Sequence, residues 1–312
     1  ELNMSFGYSV LGFGGYPNRV SISNFGGRGV FTDHIIDYVT IATNGNATDF
    51  GDATVGNGGK GTACSNGSRG VLTTSQDATM QYITVSTPGN ATDFGELTSN
   101  RSNGVEATSN HLDRGMWMGG YTGSVSNVID YITISATSNA VDFGDLNVGS
   151  WGGAAGCSTT SGRAFLGIGN EGATDNIVNS ISYFNTLALG NASDFGNLSY
   201  GTEWASCMAD STRGIIASGV QFYNSGSDEL GMEYITIANT GNATDFGNTI
   251  GARTYRTGSC GNNVRGLIAG GYNYGTSSGW ATIDLNIIQT TGNATDFGDL
   301  TVGRQVGGGL SG

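Results

Sequence analysis

Residues 291–300 read Thr-Gly-Asn-Ala-Thr-Asp-Phe-Gly-Asp-Leu. Taken singly, the decamer resembles a reactive loop. Asp-Phe-Gly is a metal-binding tripeptide in protein kinases, and Asn-Ala-Thr is an N-glycan acceptor sequence. Its recurrence decides otherwise. Asp-Phe-Gly occurs at 49–51, 93–95, 142–144, 194–196, 245–247 and 296–298, at intervals of 44, 49, 52, 51 and 51 residues. Six copies at nearly constant spacing mark a repeat architecture rather than one catalytic loop. Phosphate transfer also lacks its partner group, since Lys60 is the only lysine.

Upstream of each copy lies an apolar, β-branched run: DYVTI (37–41), QYITV (81–85), DYITI (130–134), SYFNT (182–186), EYITI (233–237) and DLNII (284–288). From the second residue of each run to the phenylalanine is always 12 residues. Alternation of Ile with Thr or Tyr is a strand period, not a helical one. The Gly-Asn-Ala-Thr between is turn chemistry, because Asn and Thr side chains bond nearby backbone amides. Together these predict a hairpin of invariant length.

Two further elements precede each hairpin. One begins with Arg and alternates apolar residues, as in RGVLTT (69–74), RGMWMGGY (114–121), RAFLGIGN (163–170), RGIIASGV (213–220) and RGLIAGGY (265–272). Before it comes a Gly/Ala/Ser-rich element that contains Cys64, Cys157, Cys207 or Cys260. In order, the four elements are strands a (Cys/Gly), b (Arg-Gly), c (Tyr-Ile-Thr-Ile) and d (Asp-Phe-Gly). Four short strands in about 50 residues make one blade of a β-propeller. LIAGGY (267–272), IDLNII (283–288) and ATDFGDL (294–300) follow the order of the kelch repeat, which the unit resembles with Phe in place of the usual Trp. The repeats are also similar to kelch-type propellers encoded by marine bacteriophages. The expected fold is all-β, a six-bladed kelch-like propeller of four antiparallel strands per blade, occupying residues 1–312 as one domain.

Ring closure follows from the ends. VGRQVGGGLSG (302–312) reads as a strand a with no b after it, so the C-terminal strand is expected to join the N-terminal blade. YSVLGFGGY (8–16) matches RGLIAGGY and is the expected first strand b, leaving 17–33 as an insertion; RGVF (28–31) is the rival. Each repeated Phe is expected between blades, and its Asp to cap the turn or pair with a repeated Arg. Tyr131 and Thr133 should face one neighbouring blade, Ile132 and Ile134 the other. The four cysteines are expected at equivalent positions, as unpaired buried thiols held apart by the symmetry.

Composition narrows the function. Net charge is −13, with 25 acidic residues against 12 basic ones, which disfavours nucleic acid and anionic membrane surfaces. No run of 18 apolar residues is present, so no membrane insertion is expected. Residue 1 is Glu, which reads as a mature or excised segment. His34 and His111 are the only histidines, and the spacing Asn293, Asp296, Asp299 does not fit an EF-hand loop, so neither metal nor cofactor is expected. The resemblance to kelch propellers includes copper radical oxidases, whose ligand set of two His, two Tyr and a Cys–Tyr link finds no match.

Connectivity divides the loops between two faces. Turns a–b and c–d lie on one, and they are uniform. Connections b–c and d–a lie on the other and vary in length, which is where binding sites usually form. That face carries many aromatics, Trp204 and Tyr255 among them, and Tyr121, Trp151, Tyr223, Tyr272 and Trp280 are the candidate ligand-binding residues. Asn46, Asn90, Asn191, Asn242 and Asn293 are candidate N-glycan acceptors on the uniform face, although the turn itself demands Asn and Thr. Asn139-Ala-Val keeps the Asn without the acceptor sequence, which favours the turn role. The expectation is a non-enzymatic structural or receptor- and glycan-binding module of an extracellular assembly, a phage virion first, with a carbohydrate or protein surface as partner. A propeller unit of an extracellular fibre or surface layer, and a degenerate kelch-type oxidase or lyase, are the alternatives.

Overall fold

The computed structural model describes residues 27–54, 61–73, 77–110, 112–157, 161–172, 176–217, 219, 231–251, 253, 255–273 and 278–312. These form six antiparallel sheets and, among the described residues, no helix. The first blade joins Gly308–Ser311 to Arg28–Thr32, Ile35–Thr40 and Thr48–Asp52 as strands a to d. Its a–b pairing places Leu310 opposite Val30 and Ser311 opposite Gly29. The C-terminal strand thus completes the blade that the head of the chain begins, and no open edge is left between first and last blades.

The other five run in sequence order. Blade 2 is Thr62–Ser65, Arg69–Thr73, Thr79–Thr84 and Thr92–Glu96; blade 3 is Ser102–Ser109, Arg114–Tyr121, Val128–Thr133 and Val141–Asp145. Blade 4 is Ala154–Cys157, Arg163–Asn170, Ile177–Asn185 and Ser193–Asn197; blade 5 is Ser206–Ala209, Arg213–Ala217, Gly231–Thr236 and Thr244–Asn248. Blade 6 is Tyr255–Gly261, Arg265–Asn273, Thr282–Ile287 and Thr295–Asp299, with Ser278–Gly279 added beside its strand b. Each strand a touches strand a of both neighbours, so the six surround the axis.

One correction concerns the first blade. Its strand b is Arg28–Thr32, not 8–16, which lies outside the described residues. The reason is the arginine. In every blade the leading Arg sends Nη1 to a backbone carbonyl at the end of strand c in the next blade: Arg28 to Val85, Arg69 to Ile134, Arg114 to Thr186, Arg163 to Ile237, Arg213 to Ile288 and Arg265 to Ile41. Arg28, Arg69, Arg114, Arg163 and Arg213 also stack on the Tyr of their own strand c, 4.0–4.7 Å from the ring centroid. Residues 8–16 offer no such arginine. In the five blades with Gly after this Arg, the preceding blade packs directly on it; blade 4 has Ala164 there. A Cβ on Gly70 would lie 2.4 Å from Leu310, and one on Gly266 2.1 Å from Met208.

The phenylalanines behave as the repeat demands. All six are 2–3% exposed, and each belongs to one of six apolar clusters, one per junction between blades. Tyr131 packs toward blade 4, whereas Ile132 and Ile134 pack toward blade 2. A bulge in every c–d pair leaves the Phe unpaired, as where Ile36 opposes Gly51 and Asp37 opposes Asp49. The Asp of the tripeptide is exposed in every copy, and the repeated Arg reaches a carbonyl instead of it. Its expected pairing with Arg is not made, because the guanidinium is spent on the neighbouring blade.

Each c–d turn is laid along strand d of the preceding blade. Gly89 and Ala91 donate to the carbonyls of Phe50 and Asp52, while Asn90 Oδ1 accepts from the Asp52 amide at 3.0 Å. The same side-chain bond recurs from Asn139, Asn191, Asn242, Asn293 and Asn46. The turn of one blade therefore covers the edge of another. It also explains the Gly of Asp-Phe-Gly, since a Cβ on Gly298 (φ 149°) would lie 2.4 Å from the Gly45 carbonyl.

The cysteines are not equivalent, which corrects the expectation. Cys64 and Cys260 oppose the third residue of strand b and point at Gly115 and Gly29 of the following blade. Cys207 opposes the fourth residue of its strand b and points at Gly156 of the preceding blade. A one-residue shift in a strand reverses the face, and symmetry of spacing in the sequence hid it. Cys64, Cys207 and Cys260 are free thiols, as expected.

Candidate functional site

The face of b–c and d–a connections carries a chain of rings around the channel mouth. Tyr121 meets Trp151 at 5.8 Å, Trp151 meets Trp204 edge-on at 5.8 Å, and Trp204 meets Tyr255 at 6.0 Å. The series crosses from blade 3 to blade 6, because Tyr121 ends a strand b, Tyr255 opens a strand a, and Trp151 and Trp204 lie in the d–a connections just before one. Trp151 is fixed by paired backbone bonds with Asn170, at 2.9 Å in each direction. Its Nε1 is buried without a hydrogen-bond partner. Arg256 covers Trp204 at 4.8 Å from the ring centroid and donates to Gln305. Trp204 (φ 58°) and Arg256 (φ 56°) both adopt left-handed backbone, a cost of about 1–3 kcal/mol each that side chains rarely accept outside a built site.

Of the five candidate ligand-binding residues, Tyr121 and Trp151 join this arc. Tyr272 lies opposite Tyr255 in blade 6. Trp280 is placed apart, against Gly251 and Arg253, where it packs the loop that carries a buried ion pair. Tyr223 lies outside the described residues. Trp204 and Tyr255 complete the arc; their position in the loops was visible in the sequence, but not which rings would meet. The candidate acceptor asparagines are exposed, and each uses Oδ1 to hold the neighbouring blade.

Below the arc, a cavity of about 130 Å³ runs along the axis, lined by hydroxyl and small residues of strands a. A narrower cavity of about 30 Å³ at its mouth is bounded by Trp204, Arg256, Thr257, Gly104 and Glu106. Glu106 is half-buried in the channel wall, and burial pushes its carboxyl well above the usual range. Burial also raises the thiols of Cys64, Cys260 and Cys207, the last further raised by the Glu106 charge.

A second set of carboxylates is structural. The residue before the Tyr position of strand c is a buried polar one, and it holds the loop leaving strand d of the preceding blade. Asp37 accepts from the amide and hydroxyl of Thr301, Asp130 from those of Thr98, and Gln81 from those of Thr54. Glu233 does the same for Ser199, and Asp284 takes the Ile250 amide. Where this residue is Asp, an arginine joins it: Arg304 with Asp37, Arg101 with Asp130 and Arg253 with Asp284.

No family model matches the chain, and no curated protein matches it. Among solved structures, that of YjhT superposes with a TM-score of 0.62 at 13% identity, covering 81% of this chain and 87% of that one. At that identity the likeness concerns the fold, and it agrees with the sheets described above. The protein is a six-bladed β-propeller.

Proposed function

We propose that this propeller is a non-enzymatic binding module of kelch type, and that its b–c and d–a face takes a carbohydrate. One observation carries the reading: the continuous arc Tyr121–Trp151–Trp204–Tyr255 at the channel mouth. Aromatic faces stack on the apolar C–H faces of sugar rings; the partly exposed Tyr121, Trp151 and Tyr255 offer such faces, and the buried Trp204 under Arg256 joins them. The buried acids of strand c are committed to neighbouring loops, and the described thiols are held neutral by burial, so these groups serve structure rather than bond-breaking. Placement in an extracellular assembly, a phage virion first, rests on the resemblance of the repeats to bacteriophage propellers. A single domain spanning 1–312 is part of the same reading.

The test is a glycan array probed with the wild-type protein, Trp151→Ala and Tyr121→Ala, with Trp280→Ala as the packing control. Binding that is lost in the first two variants and kept in the third supports the reading. Absence of any glycan signal, or loss only in Trp280→Ala, overturns it.

A further inference from the structure

The six repeats act as internal controls for one another, and they expose a local departure on the opposite face, where turns a–b and c–d lie. Among the described residues, five aliphatic side chains there are more than half exposed; Val264 (57%) stands alone on blade 6, and the other four, Leu112 (55%), Val141 (54%), Leu187 (51%) and Leu189 (62%), fall together. All four belong to the junction of blades 3 and 4. The same positions elsewhere are small or polar. Leu187 stands where other blades have Ala42, Ser86, Ser135, Ala238 or Gln289, and Leu189 where they have Asn44, Pro88, Thr137, Thr240 or Thr291. Val141 replaces Thr48, Thr92, Ser193, Thr244 and Thr295, and Leu112 stands where Gly67, Ser161, Ser211 and Asn263 do.

The four sit on neighbouring segments. The blade 4 turn runs alongside strand d of blade 3, with the Gly190 amide on the Phe143 carbonyl and the Ala192 amide on that of Asp145. Leu187, over Gly162, and Leu189 lie just before these bonds, on the turn that runs toward the strand d opened by Val141. Arg114, two residues after Leu112, reaches the Thr186 carbonyl at 2.6 Å, which brings the third element alongside. Folding does not require these residues, because five other junctions close without them. Exposed aliphatic side chains gathered at one junction, where the other repeats have small or polar residues, mark a contact surface.

Charge selects the occupant. The exposed Asp142 adjoins the patch, and the exposed Asp194 lies on the next strand d; Asp113 is also near, with its carboxylate held by Asn66 and Ser135. Every described arginine is already engaged, with a neighbouring blade, with a buried Asp, or, for Arg256, with Gln305 and Trp204. A second copy of this chain, with 25 acidic residues against 12 basic ones, would set its own Asp142 and Asp194 against these acids. We infer that the blade 3–blade 4 junction on the a–b/c–d face docks a different protein, through a segment in which aliphatic or aromatic side chains are flanked by Lys or Arg.

The probes are three panels of nine-residue synthetic peptides. In one, Leu, Phe or Trp pairs are flanked by Lys and Arg; in the second the bases become Glu; in the third the apolar residues become Ser. Wild-type protein at 0.15 M salt is expected to bind the first panel at least about tenfold more tightly than the others. The variant Leu112→Ser, Val141→Thr, Leu187→Ser, Leu189→Thr, made in bacteria, should lose about tenfold while keeping its Tm. Leu189→Thr alone is the fallback if the fourfold variant does not fold. Ile287→Thr, on blade 6, should leave binding unchanged. Absence of binding to the first panel, equal binding to all panels, or undiminished binding by the variants overturns the inference. So does sedimentation showing a wild-type dimer that the fourfold variant abolishes, since the occupant is then a second copy.

Discussion

The buried pair Arg253–Asp284 gives the sharpest test of how the loops are held. Both side chains are fully buried, and the contact joins Nη2 to Oδ1. Nη1 of Arg253 donates to the Ile268 carbonyl at 3.0 Å, and the Ile250 amide donates to Asp284 Oδ2 at 2.9 Å. Burial lowers the arginine and raises the aspartate, with the partner charge opposing both shifts. Desolvation thus consumes much of the attraction, and removing one partner leaves a buried charge alone. Arg253→Met is expected to cost about 3–5 kcal/mol at pH 7. Blade 2 already contains the neutral solution, with Gln81 accepting the Thr54 amide at 2.8 Å and no arginine needed. Adding Asp284→Gln to Arg253→Met should therefore recover most of the loss.

The pH dependence follows from the direction of the shift. An aspartate raised above its unfolded value of about 3.9 contributes stability that is present below that value and lost as pH rises through the folded one. Without Arg253 the folded value rises further, so the deficit of the single variant must shrink from pH 7 toward pH 4. Urea unfolding followed by tryptophan fluorescence at both pH values measures this. A cost below about 1 kcal/mol at pH 7, a deficit independent of pH, or a double variant no better than the single one would refute the reasoning.

Two other perturbations probe the repeat and the channel. Gly298→Ala should cost about 2 kcal/mol or more, because its Cβ meets the Gly45 carbonyl from a left-handed backbone, while Gly45→Ala, whose Cβ meets nothing within 4 Å, should cost far less; equal Tm shifts would contradict the docking of turn on strand. Glu106→Gln should raise Tm at pH 7 and change it little at pH 4, since the raised carboxyl is easily accommodated only while protonated. A thermal scan showing destabilisation by Glu106→Gln at both pH values would point to a carboxylate that the fold uses.

The repeat unit was legible because its constraints are local in sequence. The bulge, the turn and the docked Asn-Ala segment fix the distance from Tyr to Phe, so the 12-residue spacing cannot drift. Alternation fixed which side chains enter which junction, and the unpaired tail at 302–312 announced its own destination in the first blade. Fold class, blade number and the burial of six phenylalanines followed from these.

What needed the tertiary structure were partners supplied by another blade. A guanidinium has the same appearance in sequence whether it meets an Asp or a carbonyl two strands away, and only the assembled ring chose Val85 for Arg28 and so placed the first strand b at 28–32. The faces of the cysteines turned on a shift of one residue, which a period of two converts into a reversal. Likewise, many aromatics were visible on the variable face, but their side-by-side order around the axis brings Tyr121, Trp151, Trp204 and Tyr255 into one arc. The chain specifies each blade from within, and the junctions between blades decide everything that two blades must share.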